Sequence, residues 1–281
     1  MSLSLRDELR VVLGPEQLLL VRIGRAFTHR GLTHRVLDKR TLPCAGASDG
    51  AAPWSGAVGT LAAQLPELAK NTASATVVLS NPFMRYAMIP WNGALLDEEE
   101  ETAYARHFFR QMYGSAAESW ELRLNPDRAG MPQLASAVDR GLTDAVRAAF
   151  DGAGVRLRSI QPSLMVAWNS CRTRLQKSSA WFVLFETDSL CLALLQQGRL
   201  GRVRTLRAGG DWCESLPWLL QREAYLGDEE AATDEVLLWA PELECTALPE
   251  REGWKMQALQ PVLRRGLAQD YDRRYAVAMS G

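Results

Sequence analysis

The chain has 281 residues, 47% of them hydrophobic, which is enough to bury a sizeable core in two lobes or in one large domain. Its 32 basic and 33 acidic side chains are mixed along the sequence and leave a formal net charge of -1. This balance gives no electrostatic reason to expect binding to nucleic acid or to an anionic membrane surface.

Export and membrane insertion are not expected either. Charged residues at Arg6, Asp7 and Glu8 interrupt the apolar stretch that a signal peptide needs. The apolar run after residue 180 is broken by Glu186 and Asp188, so it falls short of the roughly 20 apolar residues of a membrane-spanning helix. We expect a soluble, cytoplasmic protein that touches a membrane only through partners.

The cysteines and histidines predict neither a disulfide framework nor a metal site. The five cysteines are odd in number and widely spaced, which favours reduced, buried thiols. No histidine has a neighbouring cysteine or histidine at metal-binding spacing, so no metal or other cofactor is predicted. These residues are Cys44, Cys171, Cys191, Cys213, Cys245, His29, His34 and His107.

The first part of the chain reads as three antiparallel strands, a helix and a fourth strand. A turn at Gly14-Pro15-Glu16-Gln17 joins the first two strands, and the helix has apolar residues at helical spacing in spite of Pro66. The predicted ranges are Arg10–Leu13, Leu18–Arg22, Thr33–Leu42, Val58–Ala69 and Ala75–Ser80.

The next segment predicts an inserted ferredoxin-like unit of strand, helix, strand, strand, helix and strand. Asp97 and the acidic residues after it are typical of a helix start. Tyr104, Phe108 and Met112, with Ala105 and Phe109 beside them, then form one apolar stripe. The predicted ranges are Arg85–Trp91, a helix from Asp97, Ser119–Leu124, Gln133–Arg140, Leu142–Phe150 and Val155–Gln161.

The second half repeats the pattern of three strands, helix and strand, which favours a duplicated architecture around a central cleft. A helix leads into it, and Gly209-Gly210 precedes a helix with Asp211 as its expected N-cap. The predicted ranges are helix Leu164–Leu175, strands Trp181–Glu186, Leu190–Gln196 and Arg202–Leu206, helix Trp212–Glu223, strand Glu235–Trp239, helix Arg264–Asp270 and strand Tyr275–Met279.

Three segments carry a resemblance to a known family. The stretches Val77–Arg106, Phe150–Cys171 and Phe182–Gly210 resemble, in pattern and order, the type IV pilus protein PilM and the cytoplasmic domain of the type II secretion protein GspL. The resemblance implies an α/β (α+β), two-lobed actin/Hsp70-like (ribonuclease H-like) fold with a ferredoxin-like insertion. It divides the chain into a first lobe at 1–81, an insertion at 82–161, and a connecting helix with a reduced second lobe at 162–281.

Actin-like ATPases hold nucleotide phosphates on two turns, each marked by Asp-x-Gly, and these marks are missing here. In the first turn, Gly14-Pro15-Glu16, the proline removes a backbone N–H donor. The second turn has no glycine and places Glu186 and Asp188 where phosphate charge would sit.

The place of the adenosine is also altered. Trp239 stands where the family has a glycine-rich turn, although Gly209 and Gly210 match family glycines or simply form a turn before a helix. We therefore expect the nucleotide site to be degenerate. The spacing of Glu186 and Asp188 would also suit a paired-carboxylate hydrolase, but no further feature of such an enzyme accompanies it, so a turn is favoured.

The resemblance implies a non-catalytic scaffold or adaptor that binds a cytoplasmic segment of an inner-membrane pilus or secretion protein, with the motor ATPase as a further candidate partner. Such a protein would lie at the inner face of the inner membrane. Phe83, Tyr86 and Trp91, at the start of the insertion, are the partner-binding candidates that it implies. The alternative is a working actin-like ATPase or kinase with non-consensus phosphate loops.

Overall fold

The first described elements are three antiparallel strands, and a parallel fourth strand follows one helix. A computed structural model describes residues 7–28, 31–46, 49–226, 233–241 and 253–280. The opening elements are β1 (Asp7–Leu13), β2 (Gln17–Thr28), β3 (Gly31–Pro43), α1 (Ser55–Leu68) and β4 (Thr72–Leu79). All five predicted elements are confirmed, and Pro66 lies inside α1 without ending it.

An inserted unit of three strands and a helix follows. Its elements are β5 (Met84–Ile89), α2 (Glu98–Tyr113), β6 (Trp120–Asn125) and β7 (Gln133–Asp139), after which the chain continues into α3 (Arg140–Gly152) and β8 (Arg156–Pro162). The inserted sheet has the order β5-β7-β6.

The last strand predicted for the insertion belongs to the first lobe instead. β8 pairs in parallel with β4, from Ser74 opposite Arg156 to Leu79 opposite Pro162. The prediction of a four-stranded ferredoxin-like sheet is therefore wrong, because the inserted sheet has three strands. The reason is that a strand's own sequence encodes its burial but not which neighbour it will bond to.

The described part of the second half contains three short α-helices, a five-stranded sheet and one longer α-helix. Its elements are α4 (Ser163–Ser170), α5 (Arg172–Leu175), β9 (Ala180–Glu186), β10 (Ser189–Gln196), β11 (Arg199–Arg207), α6 (Trp212–Tyr225), β12 (Glu235–Trp239), β13 (Lys255–Ala258) and α7 (Ala276–Met279). The single helix predicted for Leu164–Leu175 is thus divided at Cys171.

Both large sheets have one topology. Their orders are β3-β2-β1-β4-β8 and β11-β10-β9-β12-β13. In each, the first three strands are antiparallel and the last two join in parallel. The duplication predicted from the sequence is confirmed. Because the carboxyl ends of β1 and β4 face those of β9 and β12, the cleft between the lobes is where a ligand is expected in such sheets.

The C-terminal segment differs from its prediction. The expected strand Tyr275–Met279 forms a 3-10 turn, Arg273–Tyr275, and then α7, while only Ala268–Asp270 is helical in the expected helix Arg264–Asp270. Ala276 to Met279 are all buried against the outer face of the first sheet. A short, fully buried apolar run has no periodicity that separates helix from strand.

Helix α2 starts as predicted, because the Asp97 carboxylate accepts hydrogen bonds from the backbone N–H groups of Glu99 and Glu100, each at 2.9 Å. The predicted apolar stripe faces the inserted sheet, with Ala105 and Phe109 fully buried and Tyr104 and Phe108 partly buried. Met112 departs from the prediction, because it is 45% exposed. Asp211 occupies the N-cap position of α6, but its side chain makes no capping bond, which corrects that prediction.

Asp97→Ala is expected to destabilise the first turn of α2 by about 1 kcal/mol, because two backbone N–H groups lose their acceptor. Amide hydrogen exchange should become faster at Glu99 and Glu100 and stay unchanged in α3. Asp97→Ser, which keeps a capping oxygen, should restore slow exchange. Equal exchange in all three proteins would contradict the capping role.

The main core lies between the two large sheets. The inner face of the first sheet, α1, α3 and α4 pack with the inner face of the second sheet and with one face of the inserted sheet. Separate clusters lie under α6 and between α2 and the other face of the inserted sheet. Among the described helices, none has the combined length and apolarity that a membrane-spanning helix requires.

Candidate functional site

A cavity of about 850 Å³ lies where the two lobes and the inserted unit meet, and we call it the inter-lobe cavity. Its wall is formed by the β1–β2 turn, the β9–β10 turn, the ends of β4 and β12, strands β5 and β11, and the last turn of α2. It therefore occupies the cleft in which the sequence predicts the degenerate nucleotide site. The predicted positions on its wall are Gly14, Pro15, Glu16, Glu186, Asp188 and Trp239.

Backbone groups of the β1–β2 turn form hydrogen bonds within the first lobe. The N–H of Gly14 donates to the carbonyl of Gln17 at 3.0 Å, and the carbonyl of Glu16 accepts from the N–H of Cys44 at 2.7 Å. Pro15 has no N–H to offer. Two backbone N–H groups that could bind a phosphate are therefore not available here: that of Gly14 is already hydrogen-bonded, and Pro15 has none.

The β9–β10 turn contacts the first lobe directly. The side-chain amide of Gln17 donates to the Thr187 hydroxyl at 3.1 Å, and a Glu186 carboxylate oxygen accepts from the backbone N–H of Asn81 at 2.6 Å. Asn81 begins a 3-10 turn, Asn81–Phe83, so the carboxylate takes the position that an anion would occupy at this terminus. Asp188 is exposed and has a left-handed φ of 56°.

Tyr86 supports this junction from the inserted sheet. Its hydroxyl donates to the side-chain oxygen of Asn81 at 2.9 Å, and the residue is buried. Burial raises the pKa of Tyr86 well above its ordinary value, and the nearby Cys191 and Glu186 raise it further. Tyr86 therefore stays protonated and acts as a structural donor.

Trp239 is fully buried on the inner face of the second sheet, at the cavity wall. Its indole N–H finds no hydrogen-bond acceptor among the described residues, and the hydroxyls of Ser80 and Ser189, also on the wall, find no partner there either. Buried polar atoms are rarely left in this state. Gly209 and Gly210 are exposed and lie outside the cavity wall, so the structure does not bring them to this site.

The three predicted partner-binding residues do not form one surface. Phe83 is partly buried against the main core, and Tyr86 is buried in the contact with Asn81. Trp91 is 48% exposed and lies over Gly93. Only Tyr86 lines the inter-lobe cavity, and the partner-binding role of the three stays a prediction.

A second cavity of about 730 Å³ lies between the inserted sheet and the first lobe, and the sequence analysis missed it. Every residue of β8 lines it, together with residues of β6, β7 and α3. Four arginines also line this cavity, namely Arg123, Arg147, Arg156 and Arg158. We therefore call the cavity the basic groove. The signal in the sequence was the alternation Arg156-Leu157-Arg158, which marks an edge strand with charged outward positions.

Two of these arginines meet a carboxylate within the groove. Arg147 contacts Glu121 at 3.0 and 3.2 Å, and Arg123 contacts it at 3.4 Å. Burial alone would raise the pKa of Glu121, but the bonds from Arg147 and Thr143 outweigh it and hold the pKa below its ordinary value. Arg156 and Arg158 are exposed on β8 and form no ion pair with a described carboxylate.

Solved structures share this architecture. Over 96% of both chains, the PilM–PilN type IV pilus biogenesis complex superposes with a TM-score of 0.68 at 15% sequence identity. The cytoplasmic domain of EpsL, an inner-membrane component of the Vibrio cholerae type II secretion system, matches over 91% of both chains with a TM-score of 0.58 at 11% identity. The fold is that of the actin-like ATPases. A Bacteroides thetaiotaomicron protein with this fold matches over 84% of this chain and 82% of its own, with a TM-score of 0.53 at 10% identity.

The actin-like fold expected from the resemblance is thus confirmed. The second sheet has five strands, as the first does, and the reduction of the second lobe stays a prediction. No family model and no curated protein matches the sequence.

Proposed function

We propose that this protein is a non-catalytic, cytoplasmic scaffold that binds an extended segment of an inner-membrane protein in a pilus or secretion machine. Two similar structures support this: one is a complex of PilM with PilN, and the other is a domain of an inner-membrane component of a secretion system. The observation that carries the proposal is the basic groove.

The groove suits an extended peptide because β8 is the edge strand of the first sheet. It bonds to β4 on one side, and its other side lines the groove along all seven residues. Exposed strand edges bind peptides as added strands, with main-chain hydrogen bonds giving affinity and side-chain pockets giving specificity. Apolar contacts are available from Leu134, Leu157 and Met165.

The charge of the groove indicates what the segment carries. Glu121 is already paired with arginines, and Asp151 is the other carboxylate on the wall. Arg156 and Arg158, on the peptide-binding edge, form no ion pair with a described carboxylate. A segment with acidic side chains flanking apolar residues would complement this wall. Of the three predicted contact residues, Trp91 is the one whose exposure would let it touch a partner without rearrangement.

A binding assay tests the scaffold role. An immobilised cytoplasmic segment of a pilus inner-membrane protein from the same organism should retain the chain at micromolar concentration. A second column carrying the motor ATPase tests that candidate partner. Failure of every pilus or secretion inner-membrane segment to retain the chain would overturn the proposal.

The alternative, an ATPase or kinase with non-consensus loops, is favoured by one observation, the cavity of about 850 Å³ in the cleft. We expect Mg-ATP to leave the melting temperature unchanged, because Pro15 and Glu186 remove phosphate ligands and Asp188 adds repulsion. A bound nucleotide at 100 times its Kd would stabilise the protein by about 2.7 kcal/mol, which a thermal shift detects readily. A clear upward shift would favour the ATPase.

A further inference from the structure

Helix α6 carries large aromatic side chains on the side that faces solvent. Its other side is buried, because Trp212, Leu216 and Leu220 pack against the second sheet. Trp218 is 59% exposed and Tyr225 is 86% exposed. These two residues are seven positions apart, which is close to two helical turns, so they share one stripe. Clustered, exposed aromatic side chains mark interaction surfaces, and Trp and Tyr are the types that most often anchor them.

Trp218 is held in place before any partner arrives. The guanidinium of Arg222 lies over its ring, 5.3 Å from the ring centre, and donates a hydrogen bond to the Glu223 carboxylate at 3.1 Å. Glu223 is 3% exposed, so it fixes Arg222 from inside the protein. A side chain that is already ordered loses less conformational entropy when it binds.

The charges along this stripe are separated by sign. Asp211 and Glu214 are exposed at its start and form no ion pair with a described side chain, whereas Arg222 lies near its end. At 3.6 residues per turn, all three lie within about 40° of Trp218 around the helix axis. Arg202 of β11 adds a second positive charge at the end of α6, where it donates to the last carbonyls of the helix.

Such a face is complementary to a second copy of itself. Glu214 precedes Trp218 by four residues and Arg222 follows it by four. If two α6 helices run antiparallel about a two-fold axis at Trp218, Glu214 of each copy lies opposite Arg222 of the other, so the same contact forms twice. A parallel pair would instead bring like charges together, which is unfavourable.

We propose that the protein forms a two-fold symmetric dimer through the exposed face of α6, with the helices antiparallel, the Trp218 side chains in contact at the axis, and Glu214 paired with Arg222 of the second copy. α6 has 14 residues and is therefore about 21 Å long. A contact of this length is smaller than a standard interface of about 1,600 Å², so we expect a reversible dimer. No residue of α6 lines either cavity, so the dimer does not depend on the basic groove.

Sedimentation equilibrium of the full chain, from micromolar to millimolar concentration, tests the proposal. The wild type should pass from monomer to dimer, and Trp218→Ala should raise the dissociation constant at least about tenfold. Trp91→Ala is the matched control, because Trp91 is 48% exposed and lies outside α6, and it should dimerise like the wild type. A wild type that stays monomeric throughout, or a dimer that Trp218→Ala leaves equally tight, would overturn the proposal.

Charge reversal tests the antiparallel arrangement. Glu214→Arg and Arg222→Glu should each dimerise at least about tenfold more weakly than the wild type, since like charges then meet twice. A one-to-one mixture of the two variants should form a heterodimer, because each reversed charge then faces an opposite one. A mixture that stays monomeric at concentrations where the wild type dimerises would contradict this arrangement.

Cross-linking keeps the test decisive if Arg222→Glu does not fold, since Arg222 also bonds to the buried Glu223. Under mild oxidation, Trp218→Cys should form a disulfide between two chains, because the two-fold axis brings the two positions 218 together. Leu96→Cys is the control, being 86% exposed on the inserted unit, and should remain a monomer, as the wild type should. Equal cross-linking of the two variants would mean random collision, and the proposal would fail.

Discussion

Glu8→Gln is expected to lower the free energy of unfolding by about 3 kcal/mol. The Glu8 side chain is 3% exposed and contacts three guanidinium groups: Arg10 and Arg25 at 2.8 Å and Arg264 at 3.0 Å. The substitution keeps the shape but removes the charge, so three arginines close to one another lose their common counter-charge. Chemical denaturation with and without the substitution measures the difference.

The effect should be large because the cluster joins distant parts of the chain. Arg10 and Arg25 belong to the opening strands, whereas Arg264 belongs to the C-terminal segment, 256 residues from Glu8. The same segment packs against the outer face of the first sheet through Tyr275 and Met279. Glu8 therefore helps to hold the end of the chain on the first lobe.

The pH dependence of stability should follow the same carboxylate. Burial alone would raise the pKa of Glu8, but hydrogen bonds and attraction from Arg25 and Arg264 outweigh it, so its folded pKa lies below its ordinary value of 4.5. A lowered pKa means that the contribution is fully present above pH 4.5 and is lost as the pH falls through the folded pKa. The stability difference between wild type and Glu8→Gln should shrink in acid.

Glu67→Gln is the matched control. Glu67 also bonds to a guanidinium, that of Arg40 at 3.0 Å, but its side chain is 63% exposed. Solvent screens such a pair, so we expect no measurable change in the denaturation midpoint. If both substitutions had equal effects, burial would not be what makes the Glu8 cluster important.

Local patterns were sufficient to predict most elements of both lobes. The turn at Gly14-Pro15-Glu16, the acidic start of α2 at Asp97 and the repeated strand triplets each combine a turn or cap signal with a periodic apolar run, and such signals act over a few residues. The family resemblance, not these local signals, located the cleft, and Glu186 and Trp239 do reach its wall. The packing of one lobe on another does not alter them.

What the sequence did not reveal depends on contacts between distant residues. β8 could have bonded to the inserted sheet or to β4, and in the structure it bonds to β4 while α3 packs in one core with α1. The Glu8 cluster draws its arginines from separations of 2, 17 and 256 residues. The basic groove forms mainly from β6, β7, β8 and α3, and the alternation Arg156-Leu157-Arg158 marks β8 alone, not the groove that the other elements complete.

Replacing Arg156 and Arg158 together by glutamate is expected to weaken binding of the inner-membrane segment by about 10- to 100-fold. Both side chains are exposed on the free edge of β8, so the double reversal turns attraction of an acidic segment into repulsion while the core is left unchanged. Isothermal titration with the segment that the wild-type chain retains measures the loss.

The double variant Arg35→Glu/Arg172→Glu gives the control, since it makes the same change in net charge at two exposed positions outside the groove. It should bind like the wild type, because a salt-screened charge acts over about 10 Å at ~0.1 M salt. If both double variants bound equally weakly, the segment would be responding to net charge alone. If Arg156→Glu/Arg158→Glu bound as tightly as the wild type, the segment would occupy another surface, and the groove would lose its assigned role. If the Arg156→Glu/Arg158→Glu variant kept its affinity for the segment and Trp91→Ala lowered that affinity, the segment would bind at the start of the insertion, where the resemblance first located it.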